Sequence, residues 1–201
     1  FDPIRDLPSV MEAIKICDEK ADVPILGFAG APFTLACYLI EGGGSKNWIE
    51  TKKFMWNHPK SFSDLLNLLA DAAGSHMQAQ VEAGAAGVQL FDTWAGALST
   101  EDFLQFALPA SRRALSYVVD APTLFFTRDS GTFLPHLPDV GSSAIALDWR
   151  VEMQYARKML GGIPVQGNLD PIALHAPEEI IREKVREIIK QAGPKGHIFN
   201  L

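Results

Sequence analysis

Six short apolar runs limit what this chain can fold into. Each ends in a small cluster of Gly, Pro, Thr, Asp, Asn or Trp, and a helical stretch usually follows. Residues 23–28 run into Ala29-Gly30-Ala31-Pro32, 87–91 into Asp92-Thr93-Trp94, and 123–127 into Arg128-Asp129. Residues 144–147 lead to Asp148-Trp149, 163–166 to Gly167-Asn168-Leu169-Asp170, and 197–201 form the last run. Continuous apolar character suits strands covered on both faces. Strand and helix alternating six times predicts an α/β fold with a mostly parallel sheet. Such sheets keep their chemistry at the C-terminal ends of the strands, so the clusters are where a site is expected.

The stretches between the runs read as helices. Residues 7–17 carry Val10, Ala13, Ile14 and Cys17 on one face, with Ser9 as cap. Pro32 opens a helix that Gly42-Gly43-Gly44 closes, and residues 46–57 form another. A long helix from Pro59 to about residue 83 places Leu65, Leu68, Leu69, Ala72, Ala73, His76 and Gln80 on its core stripe. The helix starting near Thr100 carries Pro109 and is expected to kink or divide there. Residues 133–140 form a short helical piece, and 151–160 a further helix. The helix over 177–191 turns Ile180, Ile181, Val185, Ile188 and Ile189 inward.

An eight-stranded barrel usually needs about 250 residues. Six strands in 201 residues fit a TIM (β/α)8 barrel short of two units, or an open sheet. No strand is followed by the Gly-rich fingerprint of a dinucleotide-binding sheet, which favours the truncated barrel. The reading is one domain over residues 1–201. The chain does not begin with Met and stops within a strand-like run, as an internal fragment of a longer protein does.

Composition narrows the partners. A formal net charge of −6 suits neither nucleic acid nor an anionic membrane surface. It does not exclude a local cationic pocket for an acidic small molecule. No run approaches the roughly 18 apolar residues of a membrane span, and the first residues lack signal-peptide character. Cys17 and Cys37 are isolated, as free thiols in a reducing compartment are, and the five histidines show no metal-ligand spacing.

Four strand ends carry candidate chemistry. Small residues in Gly27-Phe28-Ala29-Gly30-Ala31-Pro32 let a ligand approach the backbone. Tyr38 lies about two turns into the following helix, where its hydroxyl can reach the mouth or be satisfied internally. Thr93 sits just past a strand end and offers a hydroxyl or a turn cap. Asp92 is a ligand, a base or a loop-bracing acceptor. Asn168 and Asp170 contact a substrate or build a turn. Arg128 meets a carboxylate or forms an ordinary ion pair.

Taken together, Gly27-Phe28-Ala29-Gly30-Ala31-Pro32-Phe33-Thr34-Leu35-Ala36, Tyr38, Glu41-Gly42-Gly43, Phe91-Asp92-Thr93-Trp94-Ala95-Gly96-Ala97-Leu98, Leu147-Asp148-Trp149, Gln166-Gly167-Asn168-Leu169-Asp170-Pro171 and His197-Ile198-Phe199-Asn200-Leu201 resemble the uroporphyrinogen decarboxylase family. The likeness runs in order through the whole chain. It implies a (β/α)8 barrel and a cytoplasmic homodimer, plastid-located if a transit peptide lies upstream. The implied reaction removes the four acetate carboxyls of uroporphyrinogen III to give coproporphyrinogen III in haem and chlorophyll biosynthesis. It implies neither metal nor organic cofactor. The family's binding tyrosine falls on Tyr38, its binding Ser/Thr on Thr93, and its cleft-lining phenylalanines on Phe28 and Phe91. Its central aspartate and its arginines fall before Phe1, and its histidine after Leu201. No catalytic group is assigned within these residues, and the isolated chain is expected to be inactive.

Two other readings compete. Zinc-dependent corrinoid methyltransferases of the same superfamily hold zinc with a thiolate and imidazole set, typically His-x-Cys at a strand end. Here that strand ends in Phe126-Thr127-Arg128-Asp129. A non-catalytic barrel fragment is the second alternative.

Overall fold

The structure, a computed structural model, describes residues 1–201. Helices α1 (Pro3–Asp6) and α2 (Pro8–Lys20) precede strand β1 (Leu26–Gly30). Helices α3 (Pro32–Glu41), α4 (Ile49–Asn57) and α5 (Pro59–Glu82) then lead to β2 (Gly87–Asp92). Helix α6 (Thr100–Asp102) runs through a π-helical stretch, Phe103–Ala107, into α7 (Leu108–Leu115) and on to β3 (Thr123–Thr127). A 3₁₀ piece, Leu134–Val140, precedes β4 (Ala144–Leu147), α8 (Met153–Met159) and β5 (Val165–Gln166). Helix α9 (Glu178–Ala192) and β6 (His197–Ile198) finish the chain.

All five strand pairings are parallel, and the order in space is the order in sequence. A doubly wound sheet reverses its strand order partway. This one never does, so it winds in one direction as a barrel wall does. The sheet is not closed: β1 and β6 are its edges.

Pairing register shows which side chains share the inner face. Gln166 Nε2 donates to Gln89 Oε1 at 3.0 Å, reaching from β5 to β2 across the concave side. Register and the two-residue repeat then place Phe28, Phe91, Phe126 and Ala146 on that face. The alternate residues Val88, Leu90, Phe125, Ile145 and Val165 point outward into the main core beneath the helices. Phe33, Phe62, Phe103, Phe125 and Phe133 are fully buried there. Each removes enough apolar surface from water to contribute roughly 2–3 kcal/mol.

Several expectations need correction. Helix α2 starts at Pro8 with Leu7 as cap, so Ser9 caps nothing, and the buried residues are Met11 and Ile14. Strand β1 begins at Leu26, because Val23 and Pro24 precede the pairing. Helix α5 buries Phe62, Leu66, Ala70, Ala73 and Met77, whereas Leu68 is 67% exposed. Pro109 behaves as expected: it falls in the first turn of α7, where a preceding π-helical stretch divides the helix. In α9 only Ala192 is fully buried, and Ile189 is 50% exposed. The helix packs against α8 and the turn at Pro171–His175, and most of its other residues stay exposed.

Candidate functional site

The C-terminal ends of β1 and β2 open onto a cavity of about 380 Å³ lined by Phe28, Ala29, Gly30, Thr34, Tyr38, Phe91 and Thr93. The four residues that the family resemblance marks as binding, Phe28, Tyr38, Phe91 and Thr93, all line it. Phe28 is 64% exposed and stands edge-on to Phe91, with ring centroids 6.0 Å apart. Phe126 continues the aromatic floor, 5.6 Å from Phe91.

Tyr38 reaches the cavity because α3 begins directly at the strand end. Pro32 sits in its first turn, where a missing N–H costs nothing. Gly42 ends the helix in a left-handed conformation, φ 71°, with its N–H on the Tyr38 carbonyl. The Tyr38 ring is held edge-on by Trp48 at 6.0 Å and Trp94 at 6.1 Å, and these indoles lie 4.8 Å from each other. Tyr38 nevertheless stays 45% exposed.

Asp92 points the other way, out of the concave face and into the helix layer, where it is fully buried. Thr34 Oγ1 donates to its Oδ1 at 2.8 Å, and the Trp94 N–H donates to Thr34 Oγ1 at 3.2 Å. This chain of bonds ties the first turn of α3 to the turn after β2. Asp92 Oδ2 has no partner. Burial pushes the carboxyl up to about 7, against the smaller lowering effect of the Thr34 hydrogen bonds. Asp92 is therefore the bracing acceptor among the roles its position allowed. Burial also raises the Cys37 thiol in α3 far above its ordinary value.

The other strand-end candidates are engaged in loop structure. Asn168 Nδ2 donates to the carbonyls of Asp148, at 2.8 Å, and Val151, at 2.6 Å. Asp170 Oδ1 accepts from the Ile172 N–H at 2.9 Å, capping a 3₁₀ turn. Asp148 is buried and accepts from the backbone N–H groups of Asp129 and Arg150. His197 Nε2 donates to the Gly167 carbonyl at 2.6 Å.

Three contributors were not foreseen. Thr34 lies one helical turn before Tyr38 on the same face, a spacing that could have flagged it. Trp48 follows the glycine loop, and nothing in its local sequence points to the cavity. Gln80, in α5, caps the free edge of β1: its Oε1 accepts from the Phe28 N–H at 3.0 Å and its Nε2 donates to the Phe28 carbonyl at 2.8 Å.

A one-directional parallel sheet, helices outside and an aromatic cavity at the strand ends, defines a protein of the α/β-barrel class with a cavity where that architecture keeps its sites. The chain belongs to the uroporphyrinogen decarboxylase family, whose model, described as "Uroporphyrinogen decarboxylase (URO-D)", matches residues 1–201. A relative of that name from Carboxydothermus hydrogenoformans is 46% identical over 99% of this chain and 59% of its own length. Another, from Syntrophotalea carbinolica, is 42% identical over 99% of this chain and 60% of its own. The chain thus spans about 60% of the curated relatives it matches. Among solved structures, a methyltransferase from Methanosarcina mazei superposes with a TM-score of 0.86 at 23% identity, over 98% of this chain and 60% of that one. A B12-independent methionine synthase from a Shewanella species gives 0.71 at 15% identity, over 94% and 57%. At these identities the likeness concerns the fold.

The methyltransferase alternative is not favoured, because the family model and the named relatives are those of the decarboxylase. Cys17 is exposed on α2, and Cys37 is buried in α3.

Proposed function

We propose that this chain supplies one wall of a site that decarboxylates the acetate side chains of uroporphyrinogen III, giving coproporphyrinogen III in porphyrin biosynthesis. Membership of the family supports the reaction. The observation that carries the site is the convergence of Phe28, Tyr38, Phe91 and Thr93 on one cavity.

The chemistry asks little covalent work of the protein. A carboxylate leaves as CO2 only if the bonding electrons have an acceptor. Protonation of a pyrrole ring carbon makes that ring cationic, and the ring takes the pair. A second proton, added to the freed methylene carbon, gives the methyl group, and loss of the first restores the pyrrole. The protein must place the macrocycle, deliver protons and stabilise the cationic ring. In this reading Phe28 and Phe91 pack against the macrocycle, while Tyr38 and Thr93 offer hydroxyls to its polar edge. The groups that move protons come from the part of the relatives that this chain does not span. The protein works as a cytoplasmic homodimer, with no nucleic-acid or membrane partner. No helix is long and apolar enough to cross a membrane.

The test is anaerobic incubation of the full-length protein with uroporphyrinogen III, followed by oxidation and chromatography of the porphyrins. Stepwise loss of carboxyls ending at the tetracarboxylate is expected. Recovery of unchanged octacarboxylate rules the reading out.

A further inference from the structure

One cation at the mouth is only loosely paired. Arg128 follows β3 immediately, one position beyond the ladder pair Asp92↔Thr127, as Thr93 follows β2. The two-residue repeat that puts Phe126 on the concave face puts Arg128 at its rim. The turn after β2 packs directly on it: a Cβ added to Gly96 would lie 2.5 Å from the Arg128 carbonyl oxygen.

The two carboxylates nearby are taken. Arg150 holds Asp129 Oδ1 at 2.8 Å and Asp148 Oδ2 at 3.3 Å, and its guanidinium lies 4.3 Å from the Trp149 ring centroid. Arg128 reaches only Asp129 Oδ2, at 3.7 Å, and meets the same indole from 5.9 Å. Its Nε is buried and has no hydrogen-bond partner. An arginine fork is built to take a carboxylate through two parallel N–H groups, and here its one carboxylate contact is the single 3.7 Å approach of Asp129.

We propose that Arg128 binds a carboxylate side arm of the tetrapyrrole and sets the register of the macrocycle in the cavity. This rests on the decarboxylase reading, because the carboxylated macrocycle is what brings the anion to the rim. The role is substrate positioning: Arg128 moves no proton.

Binding to the full-length protein tests it, with uroporphyrin III, the oxidised and fluorescent octacarboxylate, as probe. R128Q should weaken binding about 10- to 100-fold, the effect of removing a charge-assisted pair, and should flatten the salt dependence. R128K should recover part of the loss. R182Q, which breaks the surface pair with Glu178 on α9, should bind as wild type does. Coproporphyrin III identifies the arm: an equal loss for both porphyrins means a propionate, a loss confined to uroporphyrin an acetate. Should R128Q unfold, R128K decides, since it keeps charge but not the fork: binding weakened about 3- to 10-fold supports the proposal. Wild-type affinity and salt slope in R128Q, or in R128K where it alone folds, overturn it. If the wild-type protein decarboxylates while R128Q binds normally, only the Arg128 assignment falls. If the wild-type protein neither turns over uroporphyrinogen nor binds uroporphyrin, both fall.

Discussion

Asp92 makes the stability of this protein depend on pH in an unusual direction. Its carboxyl is fully buried, one oxygen has no partner, and burial lifts it from 3.8 to about 7. A raised carboxyl is protonated in the folded state and ionised in the unfolded chain over the interval between those values. The folded state then binds more protons, so stability falls as pH rises through that window. The full interval corresponds to about 4 kcal/mol, at 1.36 kcal/mol for each tenfold change in the constant. About 1.5 kcal/mol of this is already lost by pH 5, leaving about 3 kcal/mol to be lost between pH 5 and pH 8.5. Asparagine has the same shape, keeps an acceptor for Thr34 and carries no charge. Urea unfolding of the full-length wild type and D92N at both pH values isolates the effect. His76, whose imidazole burial holds below its ordinary value, contributes the opposite slope, but it is common to both proteins and cancels. D92N should gain about 3 kcal/mol over wild type on going from pH 5 to pH 8.5. A difference between the two proteins that is the same at both pH values would refute the assignment of a buried neutral carboxyl.

Other perturbations probe the cavity itself. Y38F and T93V each remove one hydroxyl from the lining and should lower kcat/KM about tenfold with the melting temperature unchanged; an unaffected kcat/KM in both would remove the hydroxyls from the site. G96A drives a methyl group against the Arg128 backbone and should cost about 1–3 kcal/mol in denaturant unfolding while weakening uroporphyrin binding. Wild-type values on both measures would mean that the two loops are not packed together. The 201-residue chain, purified alone, should release no coproporphyrinogen from uroporphyrinogen III in the anaerobic assay. Turnover by it would place the proton-moving groups within these residues.

Much of the fold was legible because strands here are short apolar runs with abrupt ends. The limits of β3 and β4 match the sequence reading to the residue, since Pro122 and Arg128 bound one run and Ser143 and Asp148 the other. β1 was misplaced because Val23 and Pro24 continue the apolar run ahead of the ladder, which starts at Leu26. Helix faces were harder. Leu65, Leu66, Leu68 and Leu69 surround α5, so periodicity alone could not select the buried arc; packing against α3 and α7 selected Leu66 over Leu68. In α9 the apolar stripe was read correctly but its cover was assumed. A pattern records which side would be buried, not whether a neighbour exists to bury it. The site residues were legible through blocks of sequence, whereas Trp48 and Gln80 were not, because each reaches the cavity through a distant contact.

The end of β2 shows how one strand serves two purposes. Phe91 and Thr93 face inward, and Asp92 between them faces the helices. Pleating imposes that alternation, so no hydrogen bond is needed to keep the carboxyl out of the cavity. A carboxylate on the inner face would put a negative charge in the aromatic cavity. On the outer face it does different work: through Thr34 it fixes where α3 begins, and so where Tyr38 stands. Two classes of effect should therefore alternate along three consecutive residues. Changes at Phe91 and Thr93 act on binding with little pH dependence of stability, whereas changes at Asp92 act on stability in the pH window set by its own carboxyl. A one-residue slip in the register of β2 would exchange these roles, putting the acid in the mouth and the hydroxyl in the core. The close match of Phe91 to Phe126 and Asp92 to Thr127 across the ladder holds the strand against that slip.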